Sequence, residues 1–163
     1  MSLDSTIGGA AANSYTTQAA ASSYFSGRLA VDAWNDASTT EKDASLMMAT
    51  MRLDAENYIG YRVSYTQRLQ WPRYSTYDRD GILYASDAIP LVIQQATFEY
   101  ALALLQEPTL LGDTGLEGFE NVRLGNLDVT PRPIAAARLP AIVKQLIGPV
   151  RSGGGVSVPV QRA

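Results

Sequence analysis

Two residue types are missing from this chain of 163 residues: it has no histidine and no cysteine. That removes Cys/His zinc sites, thiol nucleophiles, disulfide frameworks and any nucleophile activated by an imidazole. Catalysis would fall to carboxylate, Lys, Tyr or Ser groups, and no second acid stands at a spacing that would make a general acid–base pair. The expectation is a protein that is not an enzyme and carries no cofactor and no metal. Long apolar runs are also lacking, since no stretch approaches the roughly 18 residues that a membrane span needs. Residues 1–6 show no cationic segment followed by an apolar one, so no secretory signal is expected. The glycines Gly153, Gly154 and Gly155 follow no strand, open no helix and lack a Lys-Ser/Thr ending, which argues against a phosphate loop. Asp78, Asp80 and Asp87 lack the closing Glu of a calcium loop.

What is present is ordinary in amount and uneven in placement. Apolar residues make up 46% and charged residues 18%, typical of a soluble globular protein. A compact chain of this size buries roughly 70% of its extended surface, enough for one core. The net charge is -3, yet residues 1–128 hold all 16 acids against 8 basic residues. Residues 129–163 hold Arg132, Arg138, Lys144, Arg151 and Arg162 and no acid. An acidic body at -8 therefore carries a basic tail at +5, a polarity suited to an arm that seeks an acidic partner or to a solvated terminus. A second bias lies in residues 57–77. Arg62, Arg68 and Arg73 alternate there with Tyr58, Tyr61, Tyr65, Trp71, Tyr74 and Tyr77, with no acid between them. Such a mixture favours subunit contact, or single-stranded bases stacked on the rings. The acidic body weighs toward packing or subunit contact.

The pattern predicts a mainly α fold: a small bundle of about four helices with one or two β-hairpins and an extended C-terminal arm. Residues 1–13 read as a flexible leader, residues 14–147 as the domain and residues 148–163 as the arm. Thr16 is expected to cap a first helix in which Ala21, Tyr24, Phe25 and Arg28 share a face. Ser38 and Glu41 have capping-box spacing for a second helix from about Thr39 to Tyr58. Its stripe includes Leu46, Met47, Met51 and Leu53, with the methionines expected in the core. Asp54 lies on that stripe and is expected to pair with an Arg of residues 62–73. Asp80-Gly81 suggests a tight hairpin turn within residues 77–84. A third helix, capped by Ser86 or Asp87 with Pro90 in its first turn, runs through Leu105 and is apolar nearly all round. It therefore demands burial by other helices or by a neighbouring subunit. A projecting hairpin is expected at residues 119–130, and a short helix from Arg138 to Ile147, stopped by Gly148-Pro149. After the glycine hinge, Val156, Val158 and Val160 alternate with Ser157, Pro159 and Gln161, giving a strand with one apolar face. Such a strand suits addition to a partner's sheet edge or groove.

Several dispersed positions carry a resemblance over residues 12–106. They are Ala12-Asn13-Ser14-Tyr15, Tyr24-Phe25, Trp34, Glu41 through Ala49-Thr50, Leu53-Asp54, Gly60-Tyr61-Arg62 and Gln67 through Leu69. Trp71-Pro72-Arg73, Asp80-Gly81, Ile89-Pro90 and Glu99 through Ala101-Leu102 complete them. The set resembles the head-tail adaptor (connector) family of tailed bacteriophages, some members of which are labelled primosomal single-strand DNA-binding-like proteins. The resemblance implies a structural virion protein, made in the host cytoplasm and located at the head-tail junction. It implies a homo-oligomeric ring, commonly of twelve copies, beneath the portal, bridging it to the next neck or tail component. DNA would pass through the ring without sequence-specific binding, and no membrane is involved. On that basis Tyr58, Tyr61, Arg62, Tyr65, Arg68, Trp71, Arg73 and Tyr74 are expected in subunit contacts. Val150, Arg151, Val156, Val158, Val160 and Arg162 are expected to dock on the portal. The alternative is a replication accessory protein that binds single-stranded DNA through Arg62, Tyr65, Arg68, Trp71 and Arg73.

Overall fold

The computed structural model describes residues 2–111 and 139–152. The hairpin expected at 119–130 and the Val156, Val158, Val160 and Arg162 positions lie outside them. Helices dominate, as the periodicity predicts. In chain order they are α1 (Gln18–Phe25), α2 (Asp32–Asp36), α3 (Thr39–Asp54), α4 (Leu91–Gln106) and α5 (Ala141–Ile147). Between α3 and α4 lies a two-stranded antiparallel ladder of β1 (Tyr61–Arg62) and β2 (Arg73–Tyr74). Single 3₁₀ turns follow α4 at Pro108–Leu111 and α5 at Gly148–Val150.

Helix α4 is the hub, packing against α3, α5, α2 and α1. Its burial explains its composition: Ile93, Ala96, Phe98, Tyr100, Ala101, Leu102 and Leu104 are all buried. The neighbouring helices thus cover most of this apolar helix within one chain, and no second subunit is needed to explain it. Leu91, 63% exposed, is the exception. Phe25, Trp34, Leu46, Leu53, Val143, Ile147 and Val150 complete the core around it.

Local chemistry sets the helix ends. At α3 the capping box forms as its spacing predicts: the Ser38 hydroxyl accepts from the Glu41 N–H, while the Glu41 carboxylate accepts from the Ser38 N–H at 2.8 Å. α3 ends at Asp54 rather than Tyr58, releasing the chain into the Tyr/Arg segment. The cap of α1 is Thr17, one residue later than expected, because its Oγ1 is the oxygen that accepts from Ala20 N–H. Neither Ser86 nor Asp87 caps α4; Pro90 occupies the cap position without a side-chain bond. In the turn of residues 77–84 only Gly81 has positive φ. The Asp78 carboxylate holds that turn instead, accepting from the N–H groups of Asp80 and Ile82 at 2.9 and 2.8 Å, a side chain imitating a backbone turn.

The chain's ends depart further from expectation. Residues before α1 are anchored rather than a free leader: the Asp4 carbonyl accepts from Asn13 and Ser14 N–H, and Ala12 and Tyr15 are buried. Gly148-Pro149 does not end the ordered chain either. The 3₁₀ turn it forms carries Val150, fully buried, into the core. Val150 and Arg151 therefore belong to the folded domain and not to a free docking arm.

Candidate nucleic-acid interface

Residues 57–77 form a loop-and-ladder unit whose side chains divide into an inner and an outer set. Gly60 makes the unit possible: with φ +71°, a Cβ there would lie 2.0 Å from the Tyr74 carbonyl, so only glycine lets the two strands meet. The ladder places Tyr61 opposite Tyr74 and Arg62 opposite Arg73. Between the strands the loop is organised by Gln67, which is buried. Its amide N–H₂ donates to the carbonyls of Leu69 and Pro72 at 2.8 and 3.1 Å, and its amide oxygen accepts from Ser64 N–H at 2.9 Å. Composition and periodicity do not reveal the part Gln67 plays, since it depends on carbonyls that the folded loop brings to it.

Three of the residues expected in subunit contacts are turned inward. Trp71, 1% exposed and preceding a cis-proline, packs edge-on against Tyr58 with ring centroids 5.4 Å apart. The Tyr58 hydroxyl donates to the Leu53 carbonyl at 2.8 Å. Arg73 spreads its guanidinium over backbone oxygens, donating to Gly60 at 2.7 Å, Ile59 at 2.8 Å and Tyr58 at 3.3 Å. It also donates to the side-chain oxygen of Gln70 at 2.8 Å. Burial lowers the Arg73 pKa below the usual guanidinium value. These three residues are buried scaffold: the Tyr58 hydroxyl and the Arg73 guanidinium are committed to backbone oxygens, and Trp71 is held by ring packing, its indole N–H buried without a partner among the described residues.

The outer set is exposed. Tyr65 is 93% accessible and Tyr61 74%, Tyr74 and Tyr77 are about half exposed, and Arg62 and Arg68 are exposed as well. Directly paired residues in an antiparallel ladder project to the same side, so Tyr61 and Tyr74 present their rings together. The result is an exposed pair of aromatic rings; Arg62, paired with Arg73, projects to the ladder's other side and donates to the Gln67 carbonyl at 3.3 Å.

Asp54 does not pair with an arginine. Its carboxylate accepts instead from the Tyr15 hydroxyl and, at 2.6 Å, from Gln70 N–H, tying the chain before α1 and the loop to the end of α3. Burial first, and then the Asp54 charge, raise the Tyr15 pKa well above that of an ordinary phenol. The ion pair that does lie in the core is elsewhere. Glu99 of α4, 3% exposed, accepts from Arg28 Nε at 2.6 Å, from Arg28 Nη2 at 2.8 Å and from the Tyr24 hydroxyl at 2.7 Å. The sequence held a signal for it: Glu99 is the one charged residue in α4, and a lone acid inside an apolar helix must find a cation.

Arg151 lies on the other edge of the unit. It pairs with Glu56 at 2.6 Å while its backbone bridges Tyr58. Among the described residues no group of three or more acids could hold a metal ion, and no helix is long and apolar enough to cross a membrane.

A family model described as "Putative DnaT-like ssDNA binding protein" matches residues 1–163. No curated protein and no solved structure matches.

Proposed function

Because the chain belongs to the family described as putative DnaT-like ssDNA binding proteins, we propose that it binds single-stranded DNA on the exposed Tyr/Arg face of residues 57–77. The observation that carries this reading is the ladder pair Tyr61–Tyr74, exposed to solvent over a buried scaffold, with Tyr65, Arg62 and Arg68 exposed in the same segment. Every base has a π-face, so stacking on such rings binds without reading sequence. Arginine adds backbone charge contacts, and no acid lies among residues 57–77 to oppose them. The partition revises the residue set: Trp71 and Arg73 serve as supports, whereas Tyr61 and Tyr74 join Arg62, Tyr65 and Arg68 as contacts. With a body at -8, binding is expected to be weak and strongly salt-dependent. Fluorescence anisotropy of a labelled oligothymidine tests it. Replacing Tyr61 and Tyr74 together by Ala should weaken binding at least about 5-fold, as stacking contributes roughly 1–3 kcal/mol per base. Unchanged affinity in that variant sinks the proposal.

A second reading is the ring-forming head-tail adaptor. It is favoured by the apolar side chains one copy leaves uncovered, among them Leu29 at 88%, Ile82 at 65% and Leu91 at 63% exposure. Tyr and Arg are also the residues that most often anchor protein interfaces, and an acidic wall would let DNA slide. Under this reading the same Tyr/Arg face lies between subunits. Negative-stain microscopy with and without a portal separates the two: rings support the adaptor, and a monomer that binds oligonucleotide supports the first reading.

A further inference from the structure

Beside the Tyr/Arg segment, whose Arg68 and Leu69 form one wall, the outer side of α3 carries a groove of about 580 Å³ with Met47, Met48, Met51 and Ala55 as its apolar lining and Asp54 at its edge. A smaller one of about 250 Å³ shares Ala44 and Met48 and continues over Leu104, Leu105 and Pro108. Met47 and Met51, expected in the core, line this surface instead: Met47 is half-buried and Met51 62% exposed, with Met48 40% exposed beside them. Unbranched thioethers adapt to the shape of what covers them.

The path of the chain at residues 150–152 points to the occupant. Ile59 N–H donates to the Val150 carbonyl, Arg151 bridges Tyr58, and Ser152 N–H donates to the Asn57 carbonyl at 2.8 Å. Each step forward after Val150 is therefore a step back along residues 59, 58 and 57, toward Ala55 at the end of the groove. The Arg151–Glu56 ion pair pins this approach. Residues 153–155 are three glycines, free to turn, and Val156, Val158 and Val160 follow on alternate positions. Extended, Val156 to Val160 spans about 13 Å at about 3.3 Å per residue. Met47 to Ala55 on α3 spans about 12 Å at about 1.5 Å per residue. Three glycines reach about 10 Å, and Asn57 stands two residues along the chain from Ala55 of the groove lining.

We propose that Val156, Val158 and Val160 of the same chain dock in the methionine groove of α3, directed there by the backbone pairing of residues 150–152 with 57–59. Alternation turns all three valines to the methionines and leaves Ser157 and Pro159 facing water. The inference does not depend on DNA binding.

The absence of native cysteine makes a cross-linking test clean. The double variant Met51→Cys with Val158→Cys, in dilute solution with copper phenanthroline as oxidant, should form a disulfide within one chain, seen as a mobility shift on a non-reducing gel. Leu29→Cys with Val158→Cys should not. A disulfide-linked dimer would assign the groove to a second copy's arm, and no bond, or equal bonding in the control, would leave it without this occupant; each overturns the proposal. A second measurement uses the methyl signals of the four methionines. Deleting residues 153–163 should shift those of Met47, Met48 and Met51 and leave Met1 in place, and three unmoved signals would also overturn it.

Discussion

Glu99 shows how much one residue can decide in this fold. A carboxylate at the centre of α4 would be costly alone, but Arg28 meets it with two nitrogens and Tyr24 with a hydroxyl. Replacing Glu99 by Gln removes the charge that Arg28 faces. Breaking one side of a buried pair costs about 3–5 kcal/mol, and the Arg28 side chain, 31% exposed, retains some solvent, so a loss of about 3 kcal/mol is expected. Urea unfolding should show it as a lower midpoint with an unchanged slope. The same cluster makes stability depend on pH at the alkaline end. Burial first, and then the bond to Glu99, push the Tyr24 pKa from its ordinary 10.0 to about 12. Above pH 10 the unfolded chain loses this proton before the folded chain does, so the contribution is complete below pH 10 and lost as pH rises toward 12. Tyr15 and Tyr58 are raised as well, mainly by burial, and act with the same sign. Unfolding free energy measured from pH 9 to 12 should therefore fall, and less steeply in Tyr24→Phe. Equal slopes would remove Tyr24 from the account.

Elements separate into those closed by neighbours in sequence and those closed by neighbours in space. The capping box of α3 and the Asp78-centred turn are local, and the residues that form them stand within four positions of one another. The stripe of α3 is not settled so locally. Periodicity puts Leu46, Leu53, Met47 and Met51 on related faces, yet Leu46 and Leu53 are fully buried while Met51 stays at the surface, because α4 covers only part of that arc. The C-terminal element illustrates closure in space. α5 and the turn after it are held by Val150 in the core, by the bond from Ile59 N–H, and by Arg151 on Glu56. A chain ending at Ile147 should thus be less stable than one ending at Ser152 by about 2 kcal/mol or more, since burying a valine side chain alone contributes roughly 1.5–3 kcal/mol. Thermal melts of the two truncations check this, and coincident melts would show that the turn is not an anchor.

At the scale of the whole molecule, the features that fixed the class of fold were legible in the chain: helical periodicity, one capping box, an apolar helix too hydrophobic to lie at the surface, and a Tyr/Arg segment without acid. These depend on spacing along the chain, and spacing survives any tertiary arrangement. The family match extends over the whole chain. Which Tyr and Arg residues face outward was not legible. Tyr58 and Tyr61, or Arg62 and Arg73, are equivalent by composition, and only the ladder register set by Gly60 and the carbonyls gathered by Arg73 distinguish support from surface. Asp54 likewise took a phenol and a backbone N–H where an arginine was expected, while Arg73 is held by carbonyls. The sequence by itself determined the helices, the acidic body and the residue types of the interface, since these follow from local spacing and composition. Only the tertiary structure decided which side chains are buried supports and which stand exposed, because a hydrogen bond or a buried ring depends on partners that folding brings together from distant positions.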